Sequence, residues 1–297
     1  SPVYVTNING GSVSVINTAT NTVITTITGF NQPYGVAANA ATGEVYVTNF
    51  GNNTVSVIGS GNTVITFITG FDGPQGVAVA PAGQTNAGNV YVANFGYTSP
   101  GTTVSVVNSG SGAINTFIPG FTNPIGVAVS PTTGNVYVTN AGSSTVSVIN
   151  PGSVAINTTI TGFIDPQGVA VSPTTGDIYV ANLNDTSVSV IYPGSGTINT
   201  TVTVGANPVG VAVSPTTGDV YVTNFQGASV SVISPSNTVI ATIGGVTGAS
   251  GVAVSPTNGD VYVTNKVASG TVSVIGPGNT VITTISVGNN PGAVAAP

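Results

Sequence analysis

In 297 residues the chain carries a single Lys (Lys266), no Arg, no His, no Cys and seven acids, so 3% of it is charged and its net charge is −6. This inventory excludes nucleic acid as a partner, because neutralising phosphates takes a Lys or Arg stripe, and it excludes a nucleophile activated by His or Cys. No run of 18 apolar residues offers itself for direct membrane insertion, while 40% hydrophobic content in a regular pattern excludes disorder.

The first element is Val3-Tyr4-Val5-Thr6-Asn7, an alternation of β-branched and aromatic residues that predicts a strand. The phrase occurs seven times, with only Ile for Val or Ala for Thr, and its tyrosines fall 42, 45, 46, 42, 42 and 41 residues apart. Such a period belongs to propeller blades or solenoids and favours one domain over residues 1–297. Next comes Ser12-Val13-Ser14-Val15-Ile16, a strand with valines on one face and serines on the other, the serines expected to let a neighbouring blade approach closely. Val23-Ile24-Thr25-Thr26-Ile27 follows as an outer strand, expected to turn threonine to water. The repeat then restarts on a small-residue strand of the type Gly126-Val127-Ala128-Val129, suited to a crowded axis.

Tight links rich in Gly, Pro, Asn and Ser join these strands as an antiparallel meander, and Gly and Pro recur too often for helices. The class is all-β, and four strands per repeat make one propeller blade. The last stretch, residues 292–296, is again a first strand, whereas the chain opens on a second one. The two are expected to share a blade and close a seven-bladed ring, because a solenoid would need capped ends.

Candidate chemistry is sparse. Asp177, Asp219 and Asp260 each follow Gly in a turn, where Asp bonds local backbone. Only a hard cation would suit such oxygen ligands, but each sits alone on its own blade, so no metal or cofactor is assigned. Asp72 and Asp165 are the one carboxylate pair on equivalent loops, two repeats apart, and no catalytic residue is assigned: the chain does not read as an enzyme. A ligand face is expected where the fourth-to-first and second-to-third connections share one end of the ring, with Tyr34, Asp72, Gln75, Tyr97, Asp165 and Gln167 as its residues. Aromatic platforms beside amides suit sugars or peptides. Phe30, Phe71, Phe121 and Phe163 recur at equivalent positions and read as hydrophobic plugs. Inserts at 82–88 and 97–101 would make the face uneven. Four N-x-S/T sequons, at Asn52, Asn157, Asn184 and Asn199, are candidate glycosylation sites.

The phrases Gly-Val-Ala-Val-Ser-Pro, Val-Tyr-Val-Thr-Asn and Ser-Val-Ser-Val-Ile, in phase along essentially the whole chain, resemble the YVTN-repeat family of seven-bladed β-propellers. That family is common in archaeal surface-layer proteins and occurs in bacterial envelope proteins, so the resemblance implies an extracellular or cell-surface location. Its charged Asp-Gly-Lys type turn is replaced here by Thr-Thr-Gly, which carries no ligand role across. Absence of Cys, Met and Trp suits a harsh exterior, and the start at Ser1 is compatible with a removed secretory segment. Uncharged outer strands lacking Lys or Pro guards suggest a structural protein that self-assembles into a homo-oligomer or polymer, as a layer, sheath or fibre. The alternative is an extracellular adhesin or a glycan- or peptide-binding module.

Overall fold

A computed structural model describes residues 1–108 and 111–297. Seven four-stranded antiparallel sheets are arranged as the blades of a ring. Blade 1 spans 2–28 and borrows 291–295; blades 2 to 7 span 33–69, 74–119, 124–161, 166–203, 208–244 and 249–286. The strand Pro291–Ala295 is the innermost of blade 1, pairing Ala295 with Tyr4 and Val294 with Val5. The ring therefore closes within one chain, as the complementary first and last elements predict.

Burial explains why the second strand repeats so faithfully. Its residues are buried on both faces, Val45–Asn49 throughout for example, because each sheet is sandwiched between two others. Val3 and Val5 pack back against Tyr262, Val272 and Val274 of blade 7. Tyr4, Val13, Val15 and Phe30 pack forward against Val36, Val45, Val47 and Ile58 of blade 2. The alternation thus builds a seam of core on each side, each fully buried Val or Ile contributing about 1.5–3 kcal/mol before entropy is counted.

The polar residues of the motif are the latches. In five blades the motif Thr Oγ1 accepts from an innermost-strand N–H of its own blade and donates to an innermost-strand carbonyl of the next, at 2.6–2.9 Å. Ala93 and Ala181 stand at this position in blades 3 and 5 and cannot make that bridge. The motif Asn donates through Nδ2 to the third-strand serine of its own blade in all seven repeats, at 2.8–3.0 Å. Those serines are there as hydrogen-bond acceptors, a role beyond the close approach expected of them. Close approach belongs to the innermost-strand glycines: a Cβ on Gly35, Gly126 or Gly210 would collide with the carbonyl of Gln75, Gln167 or Ser250.

The outer strands depart from expectation. Threonines such as Thr26 and Thr284 are exposed, but so are Ile24, Ile65, Ile240 and Ile282, each more than half. The cause is a β-bulge. Val15 and Ile16 pair with Thr25 and Val23, which leaves Ile24 without a partner, and Ile65, Ile240 and Ile282 are skipped in the same way. Blades 4 and 5 have no such bulge but only four-residue outer strands, Thr158–Thr161 and Thr200–Thr203. Bulges and brevity are both edge guards, so these edges are protected, contrary to the reading of them as unguarded.

Candidate functional site

Successive antiparallel strands place their connections at alternating ends. The fourth-to-first and second-to-third connections accordingly share one end of the ring, where the innermost strands begin. The residue preceding each innermost glycine turns to the axis there: Tyr34, Gln75, Ile125, Gln167, Val209 and Ser250, with Gly292 as the counterpart in blade 1. They line a cavity of about 190 Å³, joined from above by Ile8 and Lys266, each the residue after a motif Asn.

Lys266 is the only basic side chain in the protein and it is half-buried in this axial mouth. Its Nζ lies 5.7 Å from the centroid of the Tyr34 ring, within cation–π reach. Tyr34 belongs to blade 2 and Lys266 to blade 7, so the contact spans blade 1, where Gly292 and Ala293 leave room. Loss of hydration on burial holds the Lys266 ammonium below its ordinary pKa and pushes the Tyr34 phenol above its own. No carboxylate is among the residues lining the cavity. From Tyr34 an aromatic line runs outward to Phe50 (6.5 Å between centroids, 44° between planes) and on to Tyr97 (5.4 Å, 50°).

Of the six residues expected on a ligand face, Tyr34, Gln75 and Gln167 meet in the axial mouth. The other three lie at the same end but outside the cavity lining. Asp165 accepts from Gln167 Nε2 and from Asn184 Nδ2, both at 2.9 Å, and so holds that amide in place. Asp72 stands one position earlier in its linker and instead accepts the Tyr97 N–H at 3.1 Å. Gln75 is consequently not tied by a carboxylate. It is 7% exposed, and the hydrogen bond the structure gives it ends on its main-chain carbonyl, which accepts from Thr48. The plug reading of Phe30, Phe71, Phe121 and Phe163 agrees with their burial in the seams.

The inserts of blade 3 lie at opposite ends of the ring and do not build one uneven face. Residues 97–101 pack beside Asp72 at the axial mouth. Residues 82–88 join the first and second strands at the far end, where Gln84 and Asn86 donate to the carbonyls of Pro131 and Gly134 in blade 4. Asp177, Asp219 and Asp260 occupy turns at that far end too. Asp219 accepts from Thr217 and Asp260 from Asn258, and burial raises the Asp260 pKa. Among the described residues no three His, Cys, Asp or Glu side chains converge as a metal site would require. Asn52, Asn157, Asn184 and Asn199 are all exposed. At Asn184, however, Nδ2 is engaged with Asp165, while Asn199 Oδ1 accepts from Tyr192 N and Ser195 Oγ, leaving its Nδ2 available.

Lys266 is the site residue that sequence reasoning missed. The signal was positional: it follows the motif Asn, where the other repeats carry Ile8, Phe50, Phe95, Ala141, Leu183 and Phe225. Comparison with known proteins agrees with the architecture. The NHL repeat family model matches residues 30–58, most of one blade. Two solved structures superpose over nearly the whole ring. One is titled Kuenenia stuttgartiensis hydrazine synthase (TM-score 0.81, 20% identity, 94% of this chain and 93% of that one). The other is a functionally unknown protein from Desulfotomaculum acetoxidans DSM 771 (TM-score 0.83, 18% identity, 100% and 99%). At such identities the likeness is one of fold alone. A comparison with curated proteins gave no match.

Proposed function

We propose that this β-propeller is a secreted or cell-surface structural protein whose rims associate with further copies of the same chain. The observation that carries the reading is the apolar arc on the outside of the ring. Ile240, Ile282, Ile24, Ile65, Phe67 and Phe117 stand exposed on blades 6, 7, 1, 2 and 3 in unbroken ring order. The outer strands that bear them contain no charged residue. In blades 1, 2, 6 and 7 the exposed isoleucine stands at the same bulge position, so an apolar contact would repeat around the rim, and bulged edges favour side-chain packing over strand addition. The surface location rests on the resemblance to the YVTN-repeat family and on the charge-poor composition; the hydrazine synthase likeness brings no activity to this chain.

The test is the state of association. Sedimentation velocity of the parent should show concentration-dependent assembly that persists at about 1 M salt, where the Debye length is roughly 3 Å. The double substitution Ile24→Lys with Ile282→Lys should yield single rings, and Thr158→Lys, outside the arc, should not. A parent that stays monomeric at every concentration would refute the reading. The second reading, a module that binds small glycans or peptides, is favoured by Lys266 and Tyr34 in the axial mouth and by the aromatic contacts that run outward from Tyr34 through Phe50 to Tyr97.

A further inference from the structure

The geometry points to the axial mouth as a binding site for a carboxylate carried on a single ring, with Lys266 and Gln75 meeting the carboxylate and Tyr34 with the glycine-lined wall receiving the ring. Its location is independent of whether the rims associate.

Charge comes first. In a protein of net charge −6 the one cation is half-buried in a concave site with no carboxylate lining it. Burying an ammonium costs free energy unless a partner offsets it, and among the described residues the partner found is the face of Tyr34 at 5.7 Å. A bound anion would supply what is lacking.

A second observation, independent of the lysine, points the same way. Gln75 is more than nine-tenths buried and lines the same cavity, yet its bonding ends at its main-chain carbonyl. Its counterpart Gln167 donates to Asp165 at 2.9 Å, so the two amides are not equivalent. The Gln75 amide atoms are not sealed from solvent, so a ligand oxygen would take the place of water at an amide to which the structure gives no side-chain partner.

Size and lining decide the rest of the ligand. A volume of about 190 Å³ falls below the roughly 300 Å³ at which sites for drug-sized ligands begin, so the mouth seats one ring, and any further part of the ligand would lie outside it. Ile125, Val209 and the glycines give that body an apolar seat. Both an aromatic acid and a uronic acid present a carboxylate on a six-membered ring, and the site chemistry is common to the two.

Because Lys266 is the only lysine, the full chain labelled with ¹³C-lysine gives one side-chain signal that reports the site directly. Titration with benzoate and, separately, with glucuronate should produce a saturable shift of that signal for at least one of them. Benzamide and glucose, their uncharged counterparts, should produce none. Saturation by benzoate alone assigns an aromatic acid and by glucuronate alone a uronic acid; saturation by both leaves the shared chemistry as the assignment. Calorimetry with the effective ligand should show Lys266→Met binding roughly tenfold or more weakly, and Gln75→Leu more weakly than the parent, each with an unchanged melting profile. If neither acid gives a saturable shift, if benzamide shifts the signal as benzoate does, or if a folded Lys266→Met variant binds as tightly as the parent, the proposal is overturned.

Discussion

Removing one latch between blades gives a measurable test of why the repeat keeps its threonine. Thr223 is fully buried; its Oγ1 accepts from Gly210 N at 2.8 Å and donates to Ser250 O of the next blade at 2.6 Å. Thr223→Val keeps the shape and deletes both bonds. Gly210 and Ser250 border the axial mouth, where water recovers part of the loss, so the expected cost is roughly 1–2 kcal/mol. Unfolding entropy of about 2.1 cal/mol/K per residue gives about 0.6 kcal/mol/K for 297 residues. The Tm should therefore fall by about 2–3 °C in a calorimetric scan, and Thr223→Ser should recover most of it. The reverse change, Ala181→Thr, should raise the Tm by about 1–2 °C by adding the bridge that blade 5 lacks. An unchanged Tm in Thr223→Val would show that packing alone holds the seams, and the latch argument would fall.

Deleting residues 291–297 should remove the innermost strand of blade 1 with its pairing to Tyr4 and Val5, and the truncated chain should lose its cooperative melting transition; a truncated ring that melts like the parent would overturn closure. Near-UV circular dichroism should change little from pH 7 to pH 3. Asp260, raised by burial, favours the folded state as pH falls, Asp185, lowered by its bond to Ser187, opposes it, and neither His nor an array of ion-paired carboxylates is present to drive acid unfolding. Alkali should act differently. Burial, then the Asp177 charge, push the Tyr179 phenol to about 12, and burial raises Tyr46, Tyr137, Tyr221 and Tyr262 as well. A folded pKa above the unfolded value of about 10 contributes stability that is present below pH 10 and is lost as pH rises toward 12. Melting temperatures that hold level from pH 9 to pH 12 would contradict this.

The architecture was legible because the same side chains do the same work in every seam. Tyr, Val, Thr and Asn of the motif are read by period alone, and the strand returning at residue 292 discloses closure. Three features were not legible. The bulges at Ile24, Ile65, Ile240 and Ile282 depend on cross-strand register, which alternation along one strand does not reveal. The different partners of Asp72 and Asp165 follow from a one-residue offset that turns one carboxylate to Tyr97 N and the other to Gln167. Lys266 escaped notice because a single charge has no repeat partner to mark it, although the position it occupies recurs seven times.

That last point bears on where function resides in such a ring. Positions buried in the seams cannot differ between blades without cost, since each must fit the same neighbour, and their near-identity carries no information about a ligand. The free positions are the axis-facing residue before each innermost glycine and the residue after each motif Asn. There the seven blades disagree most: Tyr34, Gln75, Ile125, Gln167, Val209, Ser250 and Gly292 in one ring, and Ile8, Phe50, Phe95, Ala141, Leu183, Phe225 and Lys266 in the other. The two sets meet at one place, the axial mouth, where Lys266 faces Tyr34 across the smallest residues of the inner ring. At the opposite end, Ser-Pro-Thr-Thr-Gly turns recur in blades 4, 5 and 6 and bond their own backbone, through Ser130, Ser172 and Ser214. A repeat protein that kept all of its blades alike would have an axis of uniform chemistry; this one brings its varied axis-facing residues, its only basic side chain and the Gln75 amide together at a single end.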